Sequence, residues 1–209
     1  MKWMDMTLRE YQSALASSSP TPGGGTASAV ALGQAAALTV MVCDLTLSNV
    51  KWQDGHAIAE ELQTIAIPIM LESGTLAQQD SEAFDQVMDA FSLPKSTDEE
   101  RLVRKEQIRR STLRAAEVPF ETARQAASLL AHLATLARLG NANAVTDVGV
   151  AGLLCSAAAK GAIFNVEINI QSLPEDWAKT MRDDLAGLKE QVRISSRSVM
   201  DAVRDRMGP

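Results

Sequence analysis

Aromatic residues make up 4% of the 209 positions. That argues against a β-sandwich or barrel, whose cores draw on Val, Ile, Tyr and Phe. Cysteine is sparser still, with two residues. Cys43 and Cys155 each lie in an apolar run, far apart and with no metal-ligand spacing around them, so buried reduced thiols are expected rather than a disulfide or zinc site. His56 and His132 are isolated, which leaves no metal-binding or catalytic histidine pair, and no Ser, His and Asp combination carries a nucleophile motif. The net charge is -6 with no Lys/Arg block, so nucleic acid is not an expected partner. The first ten residues, MKWMDMTLRE, have no apolar leader, and the expectation is a cytoplasmic protein.

What the chain does have is small residues in long runs. From Ser17 to Asn49 it reads SSSPTPGGGTASAVALGQAAALTVMVCDLTLSN, a Pro and triple-Gly loop opening directly into an apolar helix over about 27–47. Pro20 and Pro22 stiffen the approach. Gly23, Gly24 and Gly25 leave no side chain between main chain and ligand, and Thr26 is the expected N-cap, so the helix start can cradle an anion. A flexible linker is the plainer alternative, weakened by the absence of a polar spacer before the helix. A helix apolar all round either spans a membrane or forms the centre of a bundle. Gln34, Asp44 and the small face through Ala29, Gly33 and Ala37 favour the bundle, packed on a copy of itself in a dimer, and no membrane partner is expected.

The remaining periodicity is helical. Thr7 and Glu10, then Thr97 and Glu100, have capping-box spacing. A turn at Asp54 and Gly55 precedes a helix from about 56 to 90, which Pro68 should kink or divide. A charged helix follows to about 116, Pro119 interrupts mildly, and another runs over 120–139 and stops at Gly140. The polar loop 141–147, NANAVTD, leads into a second small-residue helix over about 148–170. Leu173 to Asp176 then caps a final helix to about 206. The fold class expected is all-α: one multi-helix bundle spanning residues 1–209, with two central helices rich in small residues.

Few polar residues resist a surface explanation. On a wheel of about 100° per residue, Ile65, Ile69, Leu76, Ala83 and Val87 form one stripe, and Asp80 falls within its width. A core-facing carboxyl has a raised pKa, as a general acid or base near neutral pH requires. The alternatives are a structural bond to a neighbouring helix, or rotation outward by Pro68. Asp147 is most economically a helix cap. Asn165 and Asn169, four apart, share a face that can bind the polar edge of a heterocycle or hydrogen-bond a partner helix.

The motifs PTPGGGTASA, MVCDLT, DSEAF around Asp80, LPKSTDEE, VPF, GNANAVTDVGVA and FNVEIN, colinear over most of the chain, resemble the formimidoyltetrahydrofolate cyclodeaminase and methenyltetrahydrofolate cyclohydrolase family. The resemblance implies a helical bundle, a homodimer or larger assembly, a tetrahydrofolate substrate, and no metal or further cofactor. It places the catalytic aspartate on Asp80. Asp147 and the asparagines Asn141, Asn165 and Asn169 would help hold the pterin or the reacting carbon, and Gly23 to Gly25 would let main chain approach it. The free-standing length implies the cyclohydrolase, which opens 5,10-methenyltetrahydrofolate to 10-formyltetrahydrofolate. The alternatives are the cyclodeaminase, which expels ammonia, and a non-catalytic folate-binding or helical interaction protein. Ser48 and Asn49 stand where the family carries Gly and a cation, with Lys51 nearby. Thr146 replaces a Ser, and Glu167 replaces an apolar residue.

Overall fold

The computed structural model describes residues 2–208, and among these there are six α-helices and no strand. They are α1 (Leu8–Leu15), α2 (Gly24–Leu47), α3 (His56–Ser92), α4 (Asp98–Leu139), α5 (Val145–Gln171) and α6 (Lys179–Met207), joined in places by single 3-10 turns. Both capping boxes form, Thr7 with Glu10 at α1 and Thr97 with Glu100 at α4. Each satisfies two of the amide groups a helix start leaves unpaired.

Helices α2 to α5 close a ring in which each packs on the next and α5 returns to α2, while α6 lies across α4 and α5. The pairs are antiparallel, as short connections require. Along α2 and α3 the contacts step from Thr26 with Ser81, through Gly33 with Ser73, to Asp44 with Gln63. Along α2 and α5 they run from Ser28 with Gly161 to Thr46 with Asn141, in the turn just before α5.

Small residues make this approach possible. A Cβ on Gly33 would lie 3.0 Å from the Ser73 Cβ, and one on Gly152 would lie 2.7 Å from a Val199 methyl, both tighter than side chains tolerate. By length and composition, α2 and the stretch 142–171 are long and apolar enough to cross a membrane. In the bundle they are neighbours, and their inner faces, from Ala29, Leu32 and Ala36 to Ala151, Cys155 and Ala159, are fully buried. Cys43 and Cys155 are free and buried, and burial pushes both thiols up to about 12.

The two prolines do less damage than their positions suggest. Pro68 leaves α3 a single helix and Pro119 leaves α4 a single helix. A proline in a helix frees the carbonyl four residues earlier. For Pro68 that residue is Thr64, exposed and open to water. For Pro119 it is Ala115, whose carbonyl accepts a hydrogen bond from Asn169 Nδ2 of α5 at 2.8 Å. Two expected boundaries also move. Helix α5 begins at Val145, so Asp147 lies in its first turn instead of capping it. A 3-10 turn at Glu175–Ala178 comes before α6, and Arg182 of α6 caps α5 by donating to the Ile170 and Leu173 carbonyls.

Candidate active site

Helix α2 starts three residues earlier than its sequence suggests. Gly23 is the N-cap, in ordinary extended backbone, and Gly24, Gly25 and Thr26 form the first turn. None of the three glycines has a positive φ, so left-handed freedom is not what they supply. They supply room. A Cβ on Gly25 would lie 2.6 Å from the Asp80 carboxyl carbon, inside its van der Waals envelope. The anion at this helix start is therefore the chain's own Asp80, brought there from α3.

Thr26, freed from the capping role, donates its hydroxyl to Asp80 Oδ2 at 2.9 Å and lies 2.9 Å from Ser81 Oγ. Burial pushes the Asp80 carboxyl above the ordinary aspartate range, while the Thr26 hydroxyl and backbone N–H hold it back. The N-terminal end of α2 adds a partial positive charge. Tyr11 of α1 feels the same carboxylate: burial first, then the charge on Asp80, raise its titration.

Asp80 opens into a cleft of about 150 Å³ walled by Pro20, Thr21, Gly23 to Gly25, Phe84, Ala115, Asn165 and Asn169. The loop carrying Pro20 is tied to α3 by Thr21 Oγ1 donating to Asp85 Oδ1 at 3.3 Å. Both asparagines have one amide hydrogen engaged by backbone, Asn165 on the Gly161 carbonyl and Asn169 on that of Ala115. Neither amide oxygen accepts a hydrogen bond among the described residues. The cleft thus offers one carboxyl poised to gain or lose a proton, two carboxamide acceptors on one helix face and the flat ring of Phe84. That is a set suited to a planar, nitrogen-rich ligand carrying positive charge or N–H groups. Among the described residues no group of three His, Cys, Asp or Glu could hold a metal ion.

Residues 7–186 match the family described as formiminotransferase-cyclodeaminase. The chain belongs to this family. It is 32% identical over 202 residues to the methenyltetrahydrofolate cyclohydrolase of Methylorubrum extorquens, a match covering 96% of this chain and 97% of that one. It is 30% identical over 200 residues to the formimidoyltransferase-cyclodeaminase of Gallus gallus, where it spans 95% of this chain and 37% of the longer protein. The solved structure of formiminotetrahydrofolate cyclodeaminase from Thermotoga maritima superposes with a TM-score of 0.85 at 28% identity, over 96% of both chains.

In this member of the formiminotransferase-cyclodeaminase family the cleft gathers Gly23, Gly24, Gly25, Asp80, Asn165 and Asn169 from the residues the sequence singled out, and leaves two elsewhere. Asn141 donates through Nδ2 to the Leu45 carbonyl, and its own N–H donates to Thr46 Oγ1. It therefore sits at the far end of α2, roughly 30 Å from the cleft at 1.5 Å per residue. Asp147 lies at that same end, in the first turn of α5. The family departures at Ser48 and Asn49 also fall there, where Ser48 closes α2 and Asn49 Oδ1 accepts from the Lys51 N–H. Glu167 is ion-paired with Lys189 of α6, so its charge is neutralised outside the cleft. Sequence reasoning missed Thr26 as a partner of Asp80, and it missed Phe84 and Ala115 as walls. The DSEAF motif held Phe84 one helical turn beyond Asp80, a spacing that could have found it.

Proposed function

We propose that this protein is a methenyltetrahydrofolate cyclohydrolase in which Asp80 transfers the protons. The observation that carries this reading is the Asp80 carboxyl, raised in pKa by burial, held by Thr26 and facing a cleft lined by two amide acceptors. The nearly complete mutual coverage with the Methylorubrum extorquens enzyme supports the choice of activity.

In the ionised state Asp80 accepts a proton from water as the water oxygen bonds to the methenyl carbon. The positively charged amidinium gains that electron pair and becomes a neutral carbinolamine. Asp80 then returns the proton to N5 as the bond from N5 to that carbon breaks. The hydroxyl loses its proton to solvent, and the products are 10-formyltetrahydrofolate and one proton. A positioned carboxyl of this kind contributes on the order of 10²- to 10⁴-fold. The asparagine amide oxygens can accept from the N–H groups of the reduced pterin.

The Thermotoga maritima structure, named as a cyclodeaminase, supports a second reading: N10 attacks the formimidoyl carbon, Asp80 protonates the departing nitrogen and ammonia leaves. Offering each folate separately decides between them. Loss of the methenyl chromophore without ammonia release is the expected result, and ammonia release from the formimidoyl substrate alone overturns it.

The active assembly in this proposal is a homodimer. A cleft of about 150 Å³ is small beside the 300–1,000 Å³ typical of sites for ligands of this size. The outer faces of α2 and α5 also expose Met41, Leu45, Val150, Leu153, Phe164 and Ile168, and exposed apolar surface gathered on one face is what an interaction surface presents. A twofold axis across these antiparallel helices would set the end of one copy bearing Asn141 and Asp147 beside the cleft of the other. Light scattering should give twice the chain mass. Mixing inactive Asp80→Asn and Asp147→Asn proteins should restore part of the turnover, and a monomeric active enzyme overturns the assembly.

A further inference from the structure

The hydrogen bonds around Asp80 do not end at Thr26. The Thr26 hydroxyl has one proton and gives it to Asp80 Oδ2. Its contact with Ser81 Oγ at 2.9 Å therefore has Ser81 as donor. With its own proton committed, Ser81 Oγ accepts at 3.0 Å from the indole Nε1–H of Trp3, and indole can only donate. The protons thus fall into one order, from Trp3 to Ser81 to Thr26 to the carboxylate, with every donor pointing toward Asp80. Ser81 and Thr26 are buried and Trp3 is half-buried.

The turn Trp3–Asp5 is seated to make this contact. The Trp3 ring packs on a small cluster of Ala29, Leu76, Ala77, Ala83, Ala115 and Val118 beneath the cleft, separate from the main core. Met4 follows into the notch at Gly74, where a Cβ would lie 2.5 Å from its Cγ. A segment well before the bundle in sequence is thereby fixed against α3 and joined to the reacting group.

We propose that Trp3 is a positioning residue for Asp80, acting through Ser81 and Thr26. This rests on Asp80 being the proton-transfer group. A chain of donors polarises each member in turn and strengthens the last hydrogen bond, the one that stabilises the ionised carboxyl. It also fixes the Thr26 rotor, and with it the rotamer of Asp80. The charged environment is simple. Tyr11 of α1 is the group whose titration responds to Asp80. Asp85 of α3 is engaged by Thr21 at the rim. The walls contributed by the glycine loop and α2, by α4 and by α5 bring Gly23 to Gly25, Ala115, Asn165 and Asn169, none of them titratable.

Nuclear magnetic resonance of the indole N–H groups reads the connection without reference to turnover. There are three tryptophans, Trp3, Trp52 and Trp177. The Trp3 indole signal should move with pH in a single step whose midpoint equals that of the acid limb of the kcat profile, and the movement should vanish in Asp80→Asn and in Ser81→Ala. Trp3→Phe keeps the ring and deletes the donor. Its acid limb should shift upward by a few tenths of a pH unit, with KM unchanged. Ser81→Ala should shift it likewise, and the double variant should go no further than Ser81→Ala alone. A Trp3 signal that ignores pH, an unmoved limb in Trp3→Phe, or additive shifts in the double variant overturns the proposal. Full turnover in Asp80→Asn overturns the reading of the site and this proposal with it. Lost turnover in Asp80→Asn beside a pH-independent indole overturns the relay alone.

Discussion

Replacing Gly25 with Ala adds one methyl group at the point where α2 meets Asp80. The new Cβ would lie 2.6 Å from the carboxyl carbon, with the carboxyl oxygens about as close, where ordinary contact begins near 3.4 Å, so the carboxyl must retreat by about 1 Å or swing to another rotamer. Two effects on stability then oppose each other. Alanine is favoured over glycine in a helix by about 0.8–1 kcal/mol. Losing the Thr26 hydrogen bond to a charged partner costs about 1.5–3 kcal/mol. The net is a destabilisation of roughly 0.5–2 kcal/mol, which in a chain of this size lowers Tm by about 1–8 °C.

Activity should suffer far more, because a displacement of about 1 Å at the reacting group costs on the order of 10²-fold. Differential scanning calorimetry and kcat/KM on the methenyl substrate, measured on one preparation, read both quantities. Gly187→Ala in α6 is the control. No heavy atom lies within 4 Å of its added Cβ, so it should gain up to about 1 kcal/mol and leave turnover alone. A Gly25→Ala enzyme within threefold of wild type would refute the claim that the glycine exists to admit the carboxylate.

Asp80→Asn should lose about 10²- to 10⁴-fold in turnover. It should also gain stability relative to wild type as pH rises, because a carboxyl whose folded pKa is raised contributes stability below its unfolded pKa, near 3.8, and loses that contribution as pH climbs through the folded value; thermal melts from pH 3.5 to 8 read the difference, and a constant gap refutes it. Asn169→Ala should cost about 1–3 kcal/mol by orphaning the Ala115 carbonyl, and most of that cost should disappear in a Pro119→Ala background, where the helix can supply its own donor; denaturant titration of the four proteins closes the cycle. Cys43 and Cys155, with thiols pushed up to about 12, should resist a thiol-reactive dye at pH 8 until denaturant unfolds the chain; labelling at the rate of a free thiol would contradict their burial.

Much of this could be read from residue order, because helical periodicity and capping are local. The helical wheel placed Asp80 inward without knowing what it would meet, and the boxes at Thr7 and Thr97 mark true starts. What failed was whatever depended on a partner helix. Thr26 has the chemistry of a cap, yet Gly23 takes that position because Asp80 claims the hydroxyl. Pro68 read as a kink or a division and Pro119 as a mild interruption, and the helices stay undivided because water or Asn169 satisfies the freed carbonyls, which sequence does not reveal. The family resemblance grouped Asn141 and Asp147 with Asn165 and Asn169, and within one chain they stand at opposite ends of α5. That helix is about 40 Å long at 1.5 Å per residue, and only the antiparallel pairing with α2 shows which end is at the cleft. Trp3 had no local signal at all, its partner being 78 positions away.

Pro119 has one more effect. A helix that satisfies all its own backbone is free to slide against its neighbour, with only side-chain packing to resist. By leaving Ala115 without its usual donor, the proline compels α4 to borrow one from α5, and the loan is made at the mouth of the cleft. The spacing between those two walls is thereby pinned by a directional bond, and a residue that looks like a flaw in one rod becomes the dowel that sets the width of the opening.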